Sequence, residues 1–293
     1  MPTIIDELNC LPCLNKIISL EKIEQGYSHE CYKVLDEKGT FFAKRLTTYQ
    51  HNETITDGFD VSSILKNTPQ LIYNSHQWQI YEYLEGQSLL TANISIEEKV
   101  KYSIELMVQC HQQLHPDLVP ASLTTLKPQN IISPLLSHLP SDQQCLVQKI
   151  IEQLSQELHI GSSTVCHGDI NFSNIILTDK PWIIDFECSC LADAEFDIAM
   201  MIAVNELTLA ANSSGKIIDN CLKIYQEKHT ESVWLSSDLV TRYLLLCFII
   251  NGLWYLKEGG RKQDSLLVEK AYQQFIGFDK LHFVSYSLTS KMR

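Results

Sequence analysis

The sequence has few basic residues. Lysine and arginine number 23 in the 293-residue chain against 35 aspartates and glutamates, which gives a formal net charge of −12 at pH 7. Proteins that bind nucleic acid through its phosphates need a basic surface to replace the counterions. The composition therefore argues against a nucleic acid partner. An acidic surface is compatible with a cationic substrate, although it is also common on proteins that bind none.

Long apolar runs and paired cysteine motifs are lacking too. The longest apolar run, residues 243–250, is too short to span a bilayer even with 253–256 added, so we expect no membrane insertion. Asp6 and Glu7 and the lack of a basic region before an apolar core predict no secretory signal. Among ten cysteines, Cys10 and Cys13 form the only C-x-x-C, which disfavours a zinc site. Free thiols in a reducing cytoplasm are the expectation.

Residues 165–187 concentrate the side chains that can do chemistry, and they read VCHGDINFSNIILTDKPWIIDFE. Two apolar runs separated by a Asp-Lys-Pro turn are typical of paired antiparallel strands. Such pairing brings Asn174 and Asp185 to the same end of the ribbon, with Asp169 in the loop just before it. Their oxygens suit Mg²⁺, while a further carboxylate can orient an acceptor hydroxyl and take its proton. This pattern predicts phosphoryl transfer.

The combined spacing resembles the aminoglycoside phosphotransferase and choline kinase superfamily. The residues that carry the resemblance are His167-Gly168-Asp169, Asn171, Asn174, Asp185-Phe186-Glu187, Asp193 and Phe196-Asp197-Ile198-Ala199. Protein kinases have Asp-Phe-Gly where this chain has Glu187 at the third position. A protein kinase is also disfavoured by the single glycine in 25–29 and by the lack of a recognisable activation segment.

The resemblance implies an α+β, two-lobed protein-kinase-like fold. Residues 1–84 would form a nucleotide-binding lobe with a five-stranded antiparallel sheet and one prominent helix within 50–67. Residues 85–293 would form a larger, mainly helical lobe. Apolar periodicity predicts its helices from about 95, then at 141–158, 198–209, 214–229, 236–257 and 264–275, with Gly259-Gly260 as a helix stop. Residues 116–140, rich in proline, serine and threonine, are predicted as a loop-rich insertion.

The resemblance also implies roles for individual residues around Mg·ATP. Strand residue Lys44 would hold the α- and β-phosphates and pair with Glu53, or else with Asp57. Backbone N–H groups near Ser28 and His29 would cover the phosphates, and backbone atoms of Glu82 to Leu84 would contact adenine. The metal ligands would be Asn174, Asp185 and Glu187, and the catalytic carboxylate would be Asp169. His167 and Asp197 would brace the loop by hydrogen bonds.

The acceptor implied by the resemblance is a hydroxyl on a small, cationic molecule. Choline or ethanolamine is the first interpretation; thiamine and an aminoglycoside or other amino sugar are alternatives. Trp254 is a candidate for the cation because aromatic faces attract quaternary ammonium groups, although such aromatics are more often core. His111 and His115 are spaced as a metal pair, but without a third ligand packing or solvent exposure is favoured. A catalytically silent nucleotide-binding module remains the alternative of another class.

Overall fold

The computed structural model describes residues 3–23, 29–46, 60–120, 123–158, 164–208, 214–231, 234–281 and 292. After a short helix, α1 (Ile4–Asn9), the chain forms a five-stranded antiparallel sheet in the order β1-β2-β3-β5-β4. Its strands are β1 (Ile17–Ile23), β2 (Glu30–Asp36), β3 (Thr40–Arg45), β4 (Leu71–Asn74) and β5 (Trp78–Glu82). The predicted N-terminal antiparallel sheet is thus confirmed.

Strand alternation places Lys44 on the opposite face of β3 from the core of this lobe. Ala43, its neighbour, is fully buried and packs in a cluster with Leu8, Leu14, Tyr32, Val34, Trp78 and Ile80. Because successive side chains of a strand point to opposite faces, Lys44 leaves the sheet on the other side. Strand β3 lies between β2 and β5, so this lysine is held at the centre of the sheet.

The rest of the chain is mainly helical, as predicted. Its helices are α2 (Ile96–Gln113), α3 (Pro128–Leu136), α4 (Ser141–Glu157), α5 (Ala194–Val204), α6 (Ser214–Lys228), α7 (Ser237–Lys262) and α8 (Ser265–Leu281). Its short strands are β6 (Gln87–Ser88), β7 (Thr164–Cys166), β8 (Ile175–Leu177), β9 (Pro181–Ile183) and β10 (Cys190–Ala192). Strands β8 and β9 pair antiparallel as expected, with β6 as third strand, and β7 pairs with β10.

The lobes have separate hydrophobic clusters, and the chain passes between them in the connection from β5 to β6. Val61 and Leu65 are an exception, because they precede this connection in sequence but pack in the larger, helical cluster. The helix predicted within 50–67 falls mostly outside the described residues, which show there a single 3₁₀ turn, Val61–Ser63. We propose residue 84 as the lobe boundary, since it lies in the connection.

Two predictions about the helices were wrong. The insertion 116–140 contains α3, which begins with Pro128 at a position where a helix needs no N–H donor. Helix α7 does not stop at Gly259-Gly260 but runs on to Lys262. A Cβ at Gly259 would lie 2.8 Å from a methyl group of Val268, so this glycine serves the close approach of α8 instead of ending α7.

Helix α7 is long and apolar enough to cross a membrane, judged by length and composition alone. The short apolar runs of the sequence did not predict such a helix. It has 26 residues, with a mean hydropathy of 1.6 in its most apolar window, of which 61% is buried inside the fold. The apolar surface packs against α8 in particular: a Cβ at Gly252 would lie 2.5 Å from the ring of Phe275, and one at Gly277 would lie 2.6 Å from the ring of Phe248. Each ring fills the space that a missing side chain leaves.

Candidate active site

The loop between β7 and β8 depends on glycine at its second residue. Gly168 has φ of +82°, and a Cβ there would lie 2.0 Å from the carbonyl oxygen of Cys188. Both the left-handed backbone and the close contact exclude a side chain. The glycine thus lets the loop pass directly against the segment that carries Asp185 and Glu187.

Asp197, in the first turn of α5, holds the start of this loop. Its Oδ2 accepts a hydrogen bond from the backbone N–H of His167 at 2.8 Å, and its Oδ1 accepts one from the N–H of Gly168 at 2.8 Å. His111 Nε2 lies 2.9 Å from the same Oδ2. Burial opposes ionisation of this fully buried carboxyl, but hydrogen bonding and charge from His111 outweigh it and lower the pKa of Asp197. The expected bracing hydrogen bonds are present.

The two histidines at the end of α2 have different surroundings. His111 is buried, with Nδ1 2.8 Å from the Tyr225 hydroxyl. His115 is exposed and pairs with Asp117 at 3.2 Å, so the two do not form a metal pair. Ligand atoms of His111, Cys166 and Asp197 do lie within 4.8 Å of one another. The hydrogen bonds to both Asp197 oxygens already account for that cluster.

His167 connects the loop to the Asp185 segment. Its Nδ1 accepts a hydrogen bond from the N–H of Asp169 at 3.2 Å, and its Nε2 donates to the carbonyl of Ile184 at 3.0 Å. The ring also meets Phe186, with centroids 4.6 Å apart. Burial lowers the pKa of His167, which agrees with this neutral tautomer. His167 therefore positions Asp169 and the residue before Asp185 together.

Asn174 and Asp169 contact each other directly. The Asn174 amide Nδ2 donates to Asp169 Oδ2 at 2.9 Å and to the Asp169 carbonyl at 3.1 Å. Burial, and next the nearby Asp185 carboxylate, raise the pKa of Asp169 to about 7. A carboxyl with such a pKa can accept a proton at neutral pH more readily than an ordinary aspartate.

Lys44 reaches from the sheet to the two acidic residues after β9. Its Nζ donates to Asp185 Oδ1 at 2.7 Å and to Glu187 Oε2 at 2.7 Å. Burial opposes the charge of Lys44, but the two carboxylates outweigh this effect and raise the pKa of Lys44. Burial also opposes ionisation of Glu187, but the hydrogen bond from His29 and the charge of Lys44 lower the pKa of Glu187. Asp185 has φ of +68°, a backbone conformation that is uncommon outside glycine and is found at ligand-binding sites.

These donors fit a divalent cation. Asp185 and Glu187 place carboxylate oxygens on either side of one positive charge, the Lys44 ammonium. Asn174 lies beside the Asp185 segment, because its backbone carbonyl accepts a hydrogen bond from the N–H of Ile184 at 3.0 Å, and its side chain carries an amide oxygen. Hard cations such as Mg²⁺ prefer this set of oxygen donors. The arrangement can hold a cation beside a carboxylate that is able to take a proton.

The structure thus brings together Lys44, Asp169, Asn174, Asp185 and Glu187. Among the described residues, no hydrogen bond or ion pair joins this group to Glu82 or Leu84, which were predicted to contact adenine. Ser28, Glu53 and Asp57 lie outside the described residues. Glu82 ends β5, where its N–H donates to the Gln70 carbonyl at 3.0 Å, and half-buried Leu84 follows in the connection between the lobes. Trp254 is half-buried in α7, with its ring edge-on to Tyr255 at 5.3 Å.

Two contributions to the site were missed by sequence reasoning. Asn205, just after α5, accepts a hydrogen bond from the N–H of Phe172 at 2.9 Å and donates to the carbonyl of Ile170 at 3.1 Å, so it holds the second half of the loop. The His29 side chain lies 3.1 Å from Glu187. Neither residue carries a local signal, because each partner is distant in sequence. The contact of His111 with Asp197 had a signal, since His111 is a polar residue on the apolar face of α2.

One family model matches the sequence, and several solved structures share the fold. A model of the phosphotransferase enzyme family matches residues 19–213. No curated protein matches the sequence. A choline/ethanolamine kinase family protein from Mesorhizobium loti has a TM-score of 0.65 at 14% identity, covering 95% of this chain and 93% of that chain.

Two further solved structures are similar over most of their length. Choline kinase LicA from Streptococcus pneumoniae has a TM-score of 0.66 at 16% identity, covering 89% of this chain and 93% of that chain. Spectinomycin phosphotransferase, solved in complex with ADP and spectinomycin, has a TM-score of 0.56 at 16% identity, covering 92% of this chain and 97% of that chain. At these identities the likeness shows a shared fold.

Proposed function

This chain belongs to the phosphotransferase enzyme family, and from that membership we propose that it is a small-molecule kinase. It transfers the γ-phosphate of ATP to a hydroxyl of a small, cationic acceptor such as choline or ethanolamine. One observation carries the proposal: the fold brings Lys44 from the sheet against Asp185 and Glu187, beside the contacting pair Asp169 and Asn174. These are the groups that phosphoryl transfer needs.

The metal of the reaction would be Mg²⁺, held by Asn174, Asp185 and Glu187. When bound, it would offset the negative charge of the nucleotide phosphates. In the structure, Lys44 Nζ contacts both carboxylates. When ATP binds, Lys44 would exchange these contacts for contacts with the α- and β-phosphates. The buried and positively charged Lys44 is suited to this exchange, because Asp185 and Glu187, once released, would be ligands for Mg²⁺.

Asp169 would orient the acceptor hydroxyl and accept its proton. Two hydrogen bonds hold Asp169 in place. Its backbone N–H donates to His167 Nδ1, and its carboxylate accepts from the side-chain amide of Asn174. Because the transition state of phosphoryl transfer is loose, this residue contributes more by orientation than by basicity. A pKa raised to about 7 nevertheless makes it a competent base near neutral pH.

ATP would lie between the lobes, with the adenine against backbone atoms of Glu82 to Leu84. Backbone N–H groups near Ser28 would cover the phosphates, and Glu53 would be the helix partner of Lys44. These three assignments rest on the family resemblance. Nucleotide binding is further supported by the spectinomycin phosphotransferase structure, which is a complex with ADP.

The acceptor class rests on similarity and on charge. Two of the similar structures are named as choline or choline/ethanolamine kinases, and the chain has a net charge of −12. Thiamine or an amino sugar is the second candidate, the latter favoured by the similarity to spectinomycin phosphotransferase. Trp254 would face the cation in either case. All ten cysteines lie in the described ranges and are free thiols, which supports a cytoplasmic location. The burial of most of the apolar window of α7 inside the fold supports the proposal that the chain does not insert into a membrane.

The test is ATP consumption by the purified protein with Mg²⁺ and a panel of choline, ethanolamine, thiamine, amino sugars and aminoglycosides. Asp169→Ala should abolish the turnover that one acceptor stimulates and leave Mg·ADP binding unchanged. Asp179→Ala, in the exposed turn between β8 and β9, is the matched control and should keep full activity.

Two results would contradict the proposal. Phosphorylation that persists in Asp169→Ala would remove Asp169 from its role. If no acceptor stimulates turnover while the nucleotide still binds, the chain is a nucleotide-binding module or acts on proteins. The module is not favoured, because Lys44, Asp169, Asn174 and Asp185, whose loss would mark it, are all present.

A further inference from the structure

His29 reaches from the sheet lobe to the acidic pair of the helical lobe. It immediately precedes β2, and its Nε2 is 3.1 Å from Glu187 Oε2. The two residues are 158 positions apart in the chain. The imidazole is withdrawn from solvent, with 8% of the side chain exposed. This buried polar contact joins the sheet lobe to the helical lobe at the oxygen of Glu187 that Lys44 also contacts.

Glu187 receives two donors on a single oxygen. Lys44 Nζ and His29 Nε2 both contact Oε2, while Oε1 is engaged by neither of them. An ionised carboxylate only accepts hydrogen bonds, so His29 Nε2 is the donor in this pair. If Lys44 leaves for the nucleotide phosphates, His29 stays as a donor from the sheet lobe to Glu187.

We propose that His29 is a positioning residue for the metal site. Its hydrogen bond holds Oε2 of Glu187, so that Oε1, which neither His29 nor Lys44 contacts, would be left for Mg²⁺. The same bond links the sheet lobe to the acidic pair of the helical lobe. The inference rests on the proposed function and assigns the histidine side chain, where the family resemblance implied only backbone contacts.

The expected size follows from how metal sites respond to their supporting hydrogen bonds. Loss of a hydrogen bond to a metal-ligating side chain weakens metal affinity by about 10- to 100-fold. We expect the lower end for His29→Ala, about tenfold or 1.4 kcal/mol, because two other ligands remain. The effect should appear in the Mg²⁺ dependence of nucleotide binding and not in nucleotide binding without metal.

Calorimetric titration of ADP at a series of Mg²⁺ concentrations tests this without turnover. The Mg²⁺ concentration for half-maximal binding should rise about tenfold in His29→Ala and return toward wild type in His29→Gln, which restores an N–H donor. His76→Ala, on the exposed turn between β4 and β5 of the same lobe, should leave it unchanged. Unchanged Mg²⁺ dependence in a folded His29→Ala would overturn the inference.

A double-mutant cycle with Glu187→Gln separates positioning from general stabilisation of the lobe. If His29 acts through Glu187, its substitution should have little further effect in the Glu187→Gln background. Equal effects of His29→Ala in both backgrounds would overturn the inference and leave the proposed function standing. A wild-type chain that binds no Mg·ADP at all would instead overturn the proposed function, and the inference with it.

Discussion

Substitution of Asp197 by asparagine gives a sharp test of how the loop that carries Asp169 is held. The wild-type carboxylate accepts bonds from the backbone N–H groups of His167 and Gly168, each at 2.8 Å, and lies 2.9 Å from His111 Nε2. Asparagine keeps one acceptor oxygen and presents an amino group in place of the other. Whichever way the amide turns, the amino group faces a loop N–H that is a donor itself.

The cost can be worked from these contacts. One buried backbone donor is left without an acceptor, which costs about 1–3 kcal/mol. The bonds that remain lose the negative charge that makes such bonds roughly twice as strong as neutral ones. We therefore expect Asp197→Asn to lower the free energy of unfolding by about 3 kcal/mol. Displacement of the loop moves Asp169, so turnover should also fall, by about 10²-fold if the shift approaches 1 Å.

Urea denaturation and the kinase assay measure the two effects. Asp117→Asn is the control, because Asp117 also pairs with a histidine, His115, but both side chains are exposed. An exposed ion pair contributes about 0–1 kcal/mol, so that variant should behave as wild type. The reasoning fails if Asp197→Asn unfolds at the same urea concentration as Asp117→Asn and keeps wild-type turnover.

Two further predictions concern packing and the cation position. Gly252→Ala puts a methyl group 2.5 Å from the Phe275 ring and should destabilise the protein by about 1–3 kcal/mol, whereas Gly260→Ala on the same helix meets nothing within 4 Å and should stabilise it by about 0.5–1 kcal/mol. Urea midpoints that shift equally in both variants would contradict the packing of α7 on α8. Lys44→Met removes the ammonium between Asp185 and Glu187, so calorimetry should show Mn²⁺ binding to the nucleotide-free protein at least about tenfold tighter and Mg·ADP binding weaker. Unchanged Mn²⁺ affinity would mean that Lys44 does not compete for this position.

Local sequence predicted the structure of residues 165–187 well. The loop and hairpin of residues 165–187 form as expected, because the order of apolar runs and a turn constrains neighbouring strands directly. Asn174 contacts Asp169, and both lie on a stretch short enough for spacing alone to bring them together. The five-stranded antiparallel sheet was expected from the family resemblance, and strand patterns placed Lys44 in a strand, but only the structure shows that this strand is the central one.

Glycine and proline were less informative about the helices. Gly259-Gly260 looks like a helix stop, yet α7 passes through both residues because α8 packs closely against Gly259. Pro128 looks like part of a loop, yet it begins α3. For Gly259 the packing of α8 decides the outcome, whereas Pro128 stands at the first helical position, where its missing N–H costs nothing.

The sequence by itself determined which residues could bind a metal and accept a proton, since the short spacing from Asp169 to Asp185 and Glu187 leaves the strands few ways to place them. Tertiary structure decided what supports those residues. Lys44 and His29 meet Glu187 across more than 140 positions, and His111 reaches Asp197 from another helix. Such contacts depend on how lobes and helices pack, because a hydrogen bond needs its atoms within about 3 Å and periodicity places a residue only on a face.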